Sequence, residues 1–305
     1  MLHFAMLWLL VRVLGKLPRR ALYAGADFAA ALAWHLSPRL QATTRDHMRH
    51  ALADGSGEPV VALAHVDRAA RGVVRNAARY YADLARAPRL TAVEAFDEIR
   101  DFEGVNHLFE AYDRGCGVIL LSAHLGSPEY VFRAASYLGL EMIVLVEVLS
   151  PPRVHALMDQ VRATPGVRFV PADRGGVRES LKVLRAGGIV AILGDRDIQG
   201  TGISVPFFGE RTSLPAGPVQ LALRTNAALV PTFVLREGAE RYRVVFHAPL
   251  RLEHSGNRET DLTAGMRQVA SALERGIAAA TDQRFALHAD WSGGAGAGRP
   301  DVDAT

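Results

Sequence analysis

The feature that most constrains the fold of this chain is a pattern after Pro88, in which short apolar runs alternate with amphipathic stretches. Six apolar runs are predicted as buried strands: 117–122, 142–148, 167–171, 189–194, 228–235 and 242–248. Helices are expected between them, near 128–138, 153–162, 177–185, 216–224 and 261–280. Strands that alternate with helices pair into a sheet covered on both faces. The sequence therefore predicts an α/β fold with a central, mostly parallel sheet flanked by helices.

The region before Pro88 is different, because it is helical throughout and begins with an apolar run. Residues 4–14 are apolar except for Arg12, and three basic residues follow by position 20. The run is shorter than the roughly 20 residues that a membrane span requires. We interpret residues 1–20 as an amphipathic anchor lying in a membrane interface, with arginines toward anionic headgroups. The alternatives are a core helix, a short membrane insertion and a signal peptide, although in a signal peptide basic residues precede the apolar run.

Three regions follow from this division of the chain. Residues 1–87 form an N-terminal helical section that includes the anchor, and residues 88–291 form the α/β core. Residues 292–305 are rich in Gly, Ala and Pro and have little apolar surface to bury, so we expect a disordered tail.

Composition excludes several classes of function. The 35 basic and 32 acidic residues give a net charge of only +3, which is not the footprint of a nucleic-acid-binding protein. The single cysteine, Cys116, excludes internal disulfides and CxxC metal sites. Phosphate-loop, dinucleotide, zinc-helix and G-x-S-x-G motifs are all absent from the sequence. We therefore expect neither a metal nor a bound cofactor.

The segment GVILLSAHLGSPEYVF is the first candidate site, because a buried strand leads directly into His124. Open α/β sheets place their sites at the carboxyl ends of strands. Glu129 follows on the next predicted helix, and a strand-to-helix turn can fold its carboxylate back to orient the imidazole as a general base. A helix cap or core histidine is the alternative. A second H-x-x-x-x-E match, at His254 and Glu259, lacks a preceding strand.

The second candidate segment runs from residue 189 to residue 218. Its strand brings Asp195, Arg196 and Asp197 to the same sheet edge as His124, where a second carboxylate can share the orienting role. An Asp–Arg ion pair is the alternative. The apolar side chains of Phe207 and Phe208 suit a slot for a fatty chain, unless they are ordinary core residues. The residues that follow Gly209 are polar: Glu210, Arg211 and Thr212. A helix is predicted to start at 214–218, and the amide groups at its N-terminus suit an anion.

At these segments the chain resembles the bacterial lysophospholipid acyltransferase superfamily. It is most similar to the branch that holds the lipid A lauroyl/myristoyl acyltransferases and the phosphatidylinositol mannoside acyltransferases. The matching elements are the H-x-x-x-x-[DE] box, GDRD at 194–197 and VPFFGERTSLPAGP at 205–218. Weaker matches are RDHMRHAL at 45–52 and LHADW at 287–291, so the resemblance spans about residues 1–291.

The resemblance implies that His124 removes a proton from an acceptor hydroxyl, which attacks the thioester carbonyl of acyl-CoA or acyl-carrier-protein directly. It makes Glu129 the box carboxylate and places Asp195 near a glutamate that lies beside the histidine in some relatives. Arg162 and Arg174 resemble arginines that meet phosphate or donor groups. A mannosylated phosphatidylinositol is then the first expected acceptor and a lipid A precursor the second, with the enzyme peripheral on the cytoplasmic face of the bacterial inner membrane.

Two other classes of function remain open at this point. A lipid esterase or thioesterase would use His124 to activate water, and it would release free fatty acid instead of an acylated lipid. A lipid-binding protein without catalysis would tolerate the loss of His124.

Overall fold

The described residues of the N-terminal part form four α-helices. A computed structural model describes residues 2–53, 63–238 and 240–285. The helices are α1 (Leu2–Arg12), α2 (Arg19–Leu36), α3 (Pro38–Ala51) and α4 (Leu63–Arg86). Ser37 begins α3 by accepting the Leu40 amide, and Pro38 occupies the first helical position, where its missing N–H costs nothing. Within the described ranges, no helix has both the length and the apolar composition that crossing a bilayer requires.

A seven-stranded sheet forms the centre of the fold. Its strands are β1 (Ile99–Glu103), β2 (Val118–Ser122), β3 (Met142–Val146), β4 (Val167–Pro171), β5 (Ile189–Leu193), β8 (Ala228–Glu237) and β9 (Arg241–Phe246). The spatial order is β1-β9-β8-β2-β5-β3-β4. Within this sheet the pairing of β8 with β9 is antiparallel, and the other neighbouring strands pair in parallel. The predicted α/β fold with a mostly parallel sheet is confirmed. β1 was not predicted, because its sequence IRDFE is largely polar and exposed.

Helices cover both faces of this sheet. They are α5 (Ala92–Asp97), α6 (Asn106–Asp113), α7 (Pro128–Tyr137), α8 (Pro152–Arg162), α9 (Arg174–Arg185), α10 (Gly217–Thr225) and α11 (Arg258–Ala278). Alternate residues of β2 enter opposite cores, because side chains of a strand point to its two faces in turn. Ile119 and Leu121 pack in the core that includes α10 and α11, whereas Val118 and Leu120 pack with α5, α6 and α7.

A separate hairpin is formed by β6 (Ile203–Phe207) and β7 (Glu210–Leu214). Phe208 and Gly209 connect the strands with positive φ angles of 49° and 82°, the backbone that two-residue hairpin loops prefer. One face of the hairpin is buried and β6 packs against α11, while the other face is exposed. From the sequence, this segment is expected to form an apolar slot, and the hairpin is not predicted.

A buried polar network joins the N-terminal helices to the sheet. Asp83 of α4 accepts hydrogen bonds from Arg236 of β8 and Tyr242 of β9, each at 2.6 Å. Tyr23 of α2 also donates to Asp83 and accepts from Arg236 at 2.7 Å. The helical section is therefore attached to the sheet by contacts between charged and polar groups. The division at residue 87 stays a prediction, and the expected tail lies outside the described residues.

Candidate active site

The ends of β2 and β5 build the centre of the site. The strands are parallel neighbours with Ser122 opposite Leu193, and the Gly194 amide extends the ladder by donating to the Ser122 carbonyl at 2.8 Å. His124 stands two residues beyond β2, and Asp195 two residues beyond β5. The register of this strand pair therefore brings the two side chains together, as the strand-end rule predicts.

Asp195 holds the imidazole of His124. Its Oδ1 lies 2.7 Å from Nδ1 of His124 and accepts the backbone amide of the same residue at 3.0 Å. With Nδ1 donating to the carboxylate, Nε2 of the neutral ring is left as the basic nitrogen. The imidazole keeps 19% of its side-chain surface exposed, whereas the carboxylate has none. The pair has the geometry of a general base with an orienting carboxylate.

The charge of Asp195 is stabilised although the residue is buried. Burial alone would raise the pKa of its carboxyl group, but the charge of His124 and its hydrogen bond outweigh this effect, and Arg284 adds to them. The pKa of Asp195 consequently lies well below its ordinary value, so the group is an anion throughout the neutral range.

Arg284 completes this arrangement and was missed by sequence analysis. Its Nε donates to Oδ2 of Asp195 at 3.0 Å, and Nη2 donates to the Asp195 carbonyl at 3.3 Å. The segment is held in place because the Phe285 amide donates to the His124 carbonyl at 2.9 Å. Gly126 permits the close approach of the 124–126 turn to β8, since it has a φ of 63° and a Cβ there would lie 2.0 Å from the Val234 oxygen. The only sequence signal near Arg284 was the LHADW match that begins three residues later.

Glu129 does not contact the imidazole, contrary to the expected role of the box carboxylate. It lies in the first turn of α7, where its Oε1 accepts the Tyr80 hydroxyl at 3.0 Å and stands 3.5 Å from Nε of Arg162. No hydrogen bond between Glu129 and His124 occurs among the described residues. The orienting position at Nδ1 is already taken by Asp195, and α7 directs Glu129 toward α4 and α8 instead.

Tyr80 is the second residue that sequence analysis missed. It lies on α4, far from the strand ends in sequence, and its ring stacks on Phe285 at 4.0 Å. Phe285 in turn meets the imidazole of His124 edge-on, with 5.7 Å between ring centroids. Burial and the charge of Glu129 raise the pKa of Tyr80 well above its ordinary value, so its hydroxyl remains a donor. The sequence indicated only that Tyr80 lies in the N-terminal helical section.

A cavity of about 860 Å³ connects these groups. Its wall contains four of the predicted site residues, His124, Glu129, Arg162 and Arg196. Much of the remaining wall is apolar, with contributions from Leu84, Phe132, Val144, Leu145, Met158 and Phe169. Residues 215–218, where α10 begins, also line it, so the predicted anion position faces the cavity while its role stays a prediction. A partly apolar cavity with a few convergent polar groups is the usual form of a ligand site.

The other predicted binding residues lie outside the described cavity wall. Arg174 is an exposed residue at the start of α9. Phe207 is fully buried, because it lies on the hairpin face that packs on the core, and Phe208 in the loop is partly buried against the same core. Glu210 pairs with His50 at 3.2 Å. Arg211 is exposed and donates a hydrogen bond to the Ser204 hydroxyl, whereas Thr212 is buried. The structure places 205–212 in a hairpin packed on the core, and a substrate-binding role for these residues stays a prediction.

Comparison with known proteins agrees with this geometry. Residues 1–292 match the family model described as bacterial lipid A biosynthesis acyltransferase. The chain belongs to this family. The match covers the helical section as well as the sheet, so the protein is an acyltransferase of the lipid A acyltransferase family, as the sequence motifs indicated.

Two similar proteins indicate which branch of the family the chain resembles. The chain is 28% identical over 291 residues to a phosphatidylinositol mannoside acyltransferase of Mycobacterium tuberculosis, covering 93% of this chain and 84% of the relative. It is 29% identical over 244 residues to a protein of the same name from Mycolicibacterium smegmatis, covering 78% of this chain and 75% of the relative. The expected resemblance to this branch is confirmed.

Proposed function

We propose that this acyltransferase moves a fatty acyl group from acyl-CoA or acyl-carrier-protein to a hydroxyl group of a membrane lipid. A phosphatidylinositol mannoside-like glycolipid is the first acceptor, in line with the names of the relatives, and a lipid A precursor is the second. The observation that carries the proposal is His124 on the cavity wall, held through Nδ1 by the buried carboxylate of Asp195.

The proposed reaction is a direct transfer. Nε2 of His124 takes the proton from the acceptor hydroxyl as its oxygen bonds to the thioester carbonyl carbon. The tetrahedral intermediate then collapses, the C–S bond breaks and the imidazolium returns the proton to the leaving thiolate. Asp195 stabilises the imidazolium between these steps, and Arg284 holds Asp195 in place. The products are an ester and a free thiol, and no covalent enzyme intermediate is formed.

The position of α1 supports access from a membrane. Leu7 of α1 lines the cavity, and Val11 packs in a cluster with Leu84 and residues of α8. The opposite side of α1 exposes Met6 and Leu9 to solvent, and Val13, directly after the helix, is exposed as well. An exposed apolar helix face beside a lipid cavity suits a peripheral enzyme on the cytoplasmic face of the inner membrane, where it would meet both a soluble acyl donor and a lipid acceptor.

The experiment that tests this function compares wild type with His124→Gln. Purified protein is incubated with radiolabelled palmitoyl-CoA and a bacterial total-lipid extract, and the labelled products are identified by chromatography and mass spectrometry. We expect label in a glycolipid with wild type and a rate about 10²–10⁴ times lower with the variant, the usual contribution of a general base.

His254→Gln is the matched control, because His254 belongs to the other H-x-x-x-x-E segment and lies on a different, smaller cavity. It should keep the wild-type rate. Label released only as fatty acid would identify a hydrolase instead. An unchanged rate in His124→Gln, or no turnover of any donor by wild type, would contradict the proposal.

A further inference from the structure

The box carboxylate Glu129 has no place in the proton transfer described above. Asp195 occupies Nδ1 of His124, and Tyr80 and Arg162 hold Oε1 of Glu129. Yet Glu129 lies on the wall of the cavity that contains His124. A buried acid that is fixed by two neighbours and faces the substrate space calls for a function of its own.

The second oxygen of this carboxylate supplies the main observation. Glu129 is only 6% exposed, and its Oε2 is buried without a hydrogen-bond partner in the described part of the chain. Leaving a buried carboxylate oxygen unpaired is costly, and a donor on a bound ligand removes that cost. Because Tyr80 and Arg162 already hold Oε1, Oε2 is the oxygen of Glu129 that is left to pair with a donor on a bound ligand.

The charges around Glu129 indicate what kind of donor binds. Burial tends to lower the pKa of Arg162, but Tyr80 and Glu129 outweigh this effect and raise it, so the guanidinium stays charged. The carboxylate and the guanidinium therefore compensate each other. The unpaired oxygen of Glu129 needs a hydrogen-bond donor, which an ionised phosphate oxygen cannot supply and a neutral hydroxyl group can.

Two aromatic rings separate Glu129 from His124, the proposed base. Phe285 stacks on Tyr80 and contacts His124 edge-on, and Tyr80 donates to Glu129. Glu129 and His124 are therefore neighbouring but separate points on one wall. A molecule with several hydroxyl groups can present one of them to each point.

We propose that Glu129, held by Tyr80 and Arg162, accepts a hydrogen bond from a non-reacting hydroxyl group of a sugar acceptor. It thereby selects an acceptor that presents a sugar at this point over a lysolipid that presents a phosphate monoester there. The inference rests on the proposed function, since it assigns the acceptor class of the same site. It also gives Arg162 a different role from phosphate binding, because that side chain is already committed to Glu129.

The test measures acceptor selectivity in wild type and Glu129→Gln. The acceptors are octyl α-mannoside, its singly deoxygenated analogues and lysophosphatidate, each with palmitoyl-CoA as donor. We expect Glu129→Gln to raise the KM for octyl α-mannoside about 10-fold or more, with the KM for palmitoyl-CoA unchanged. Lysophosphatidate should become a better acceptor relative to the mannoside, because the amide that replaces the carboxylate can donate to a phosphate oxygen.

The deoxygenated acceptors identify the contact directly. One analogue should be about 10-fold poorer than octyl α-mannoside with wild type, while Glu129→Gln should hardly distinguish the two. This non-additive result is the signature of an interaction between the missing hydroxyl and the carboxylate. Glu141→Gln is the matched control, since Glu141 is exposed and precedes β3 at the opposite edge of the sheet.

Several results would overturn the inference. A raised KM for palmitoyl-CoA would assign Glu129 to the donor, and a parallel loss with both acceptor classes would indicate a structural role only. If Glu129→Gln does not fold, the wild-type comparison decides, and equal rates with every deoxygenated analogue would refute the contact. Wild type that acylates lysophosphatidate in preference to the mannoside would refute the inference alone. Wild type that acylates neither acceptor would refute the proposed function as well.

Discussion

At the scale of single residues, the carboxylate of Asp195 links the other two residues at the centre of the site. One carboxylate accepts the imidazole and backbone amide of His124 and the guanidinium of Arg284. Two of the donors belong to His124, just after β2, and the third lies in the segment after α11, whereas the acceptor follows β5. The same residue therefore orients the imidazole and joins three parts of the chain, so its charge contributes to stability as well as to the proposed catalysis.

We expect the free energy of unfolding to report this charge. Asp195→Asn should destabilise the protein by about 3–5 kcal/mol at pH 7, because Arg284 loses its buried counter-charge. The pKa of Asp195 is lowered by folding, so the stabilisation is complete above the unfolded pKa of about 3.9 and is lost as the pH falls below it. The difference between wild type and variant should therefore be constant from pH 6 to pH 8 and smaller by about 1 kcal/mol at pH 3.

Urea unfolding followed by circular dichroism at each pH measures this difference. A gap between the two proteins that widens on acidification would contradict the assigned direction of the pKa shift.

At the scale of elements, the Asp83 network fixes α4 against the sheet. Arg236 and Tyr242 reach Asp83 from adjacent strands, and Tyr23 reaches it from α2. Burial would lower the pKa of Arg236, but the charge of Asp83 raises it above its ordinary value, so the ion pair is retained. Because α4 also carries Tyr80, this network positions a wall of the cavity.

Removing one charge of the Asp83–Arg236 pair should destabilise the protein more than removing both charges together. Asp83→Asn leaves Arg236 buried without a counter-charge and should cost about 3–5 kcal/mol, lowering the Tm by on the order of 10 °C. Asp83→Leu combined with Arg236→Met removes both charges and should recover much of that loss. Differential scanning fluorimetry compares the three proteins. A double variant as unstable as Asp83→Asn would show that the charges themselves are not the cause.

At the scale of the whole molecule, part of the cavity wall consists of exposed apolar side chains. Tyr81 and Ile198 line the cavity and are about half exposed, and Leu7 connects it to α1. The inner side of α1 is attached to α8, since Arg12 donates to Gln160 at 2.8 Å and Arg153 lies over the Phe4 ring. The outer side of α1 is left as apolar surface next to the cavity wall.

We expect this surface to bind membranes. Replacing Met6 and Leu9 by Gln should weaken binding to phosphatidylglycerol-containing vesicles about 10-fold or more, because two apolar side chains no longer leave water. Vesicle co-sedimentation gives the partition coefficient. Phe109→Gln with Tyr112→Gln is the matched control, because α6 exposes these residues away from the cavity wall. Equal loss in both double variants would mean that α1 is not a specific membrane surface.

The sequence by itself determined the sheet and the meeting of His124 with Asp195. Apolar runs of strand length predict parallel strands, and parallel neighbours bring their carboxyl ends to one edge whatever the rest of the chain does. The polar strand β1 and the hairpin were not predicted, because neither has a continuous apolar run.

Only the tertiary structure decided which carboxylate meets the imidazole, which way Phe207 points, and that Tyr80 and Arg284 join the site. Tyr80 is 49 residues from Glu129, and Arg284 is 89 residues from Asp195. Local periodicity shows that such residues are buried but not what they touch. Their partners are set by how helices dock on the sheet, which depends on contacts between segments far apart in sequence.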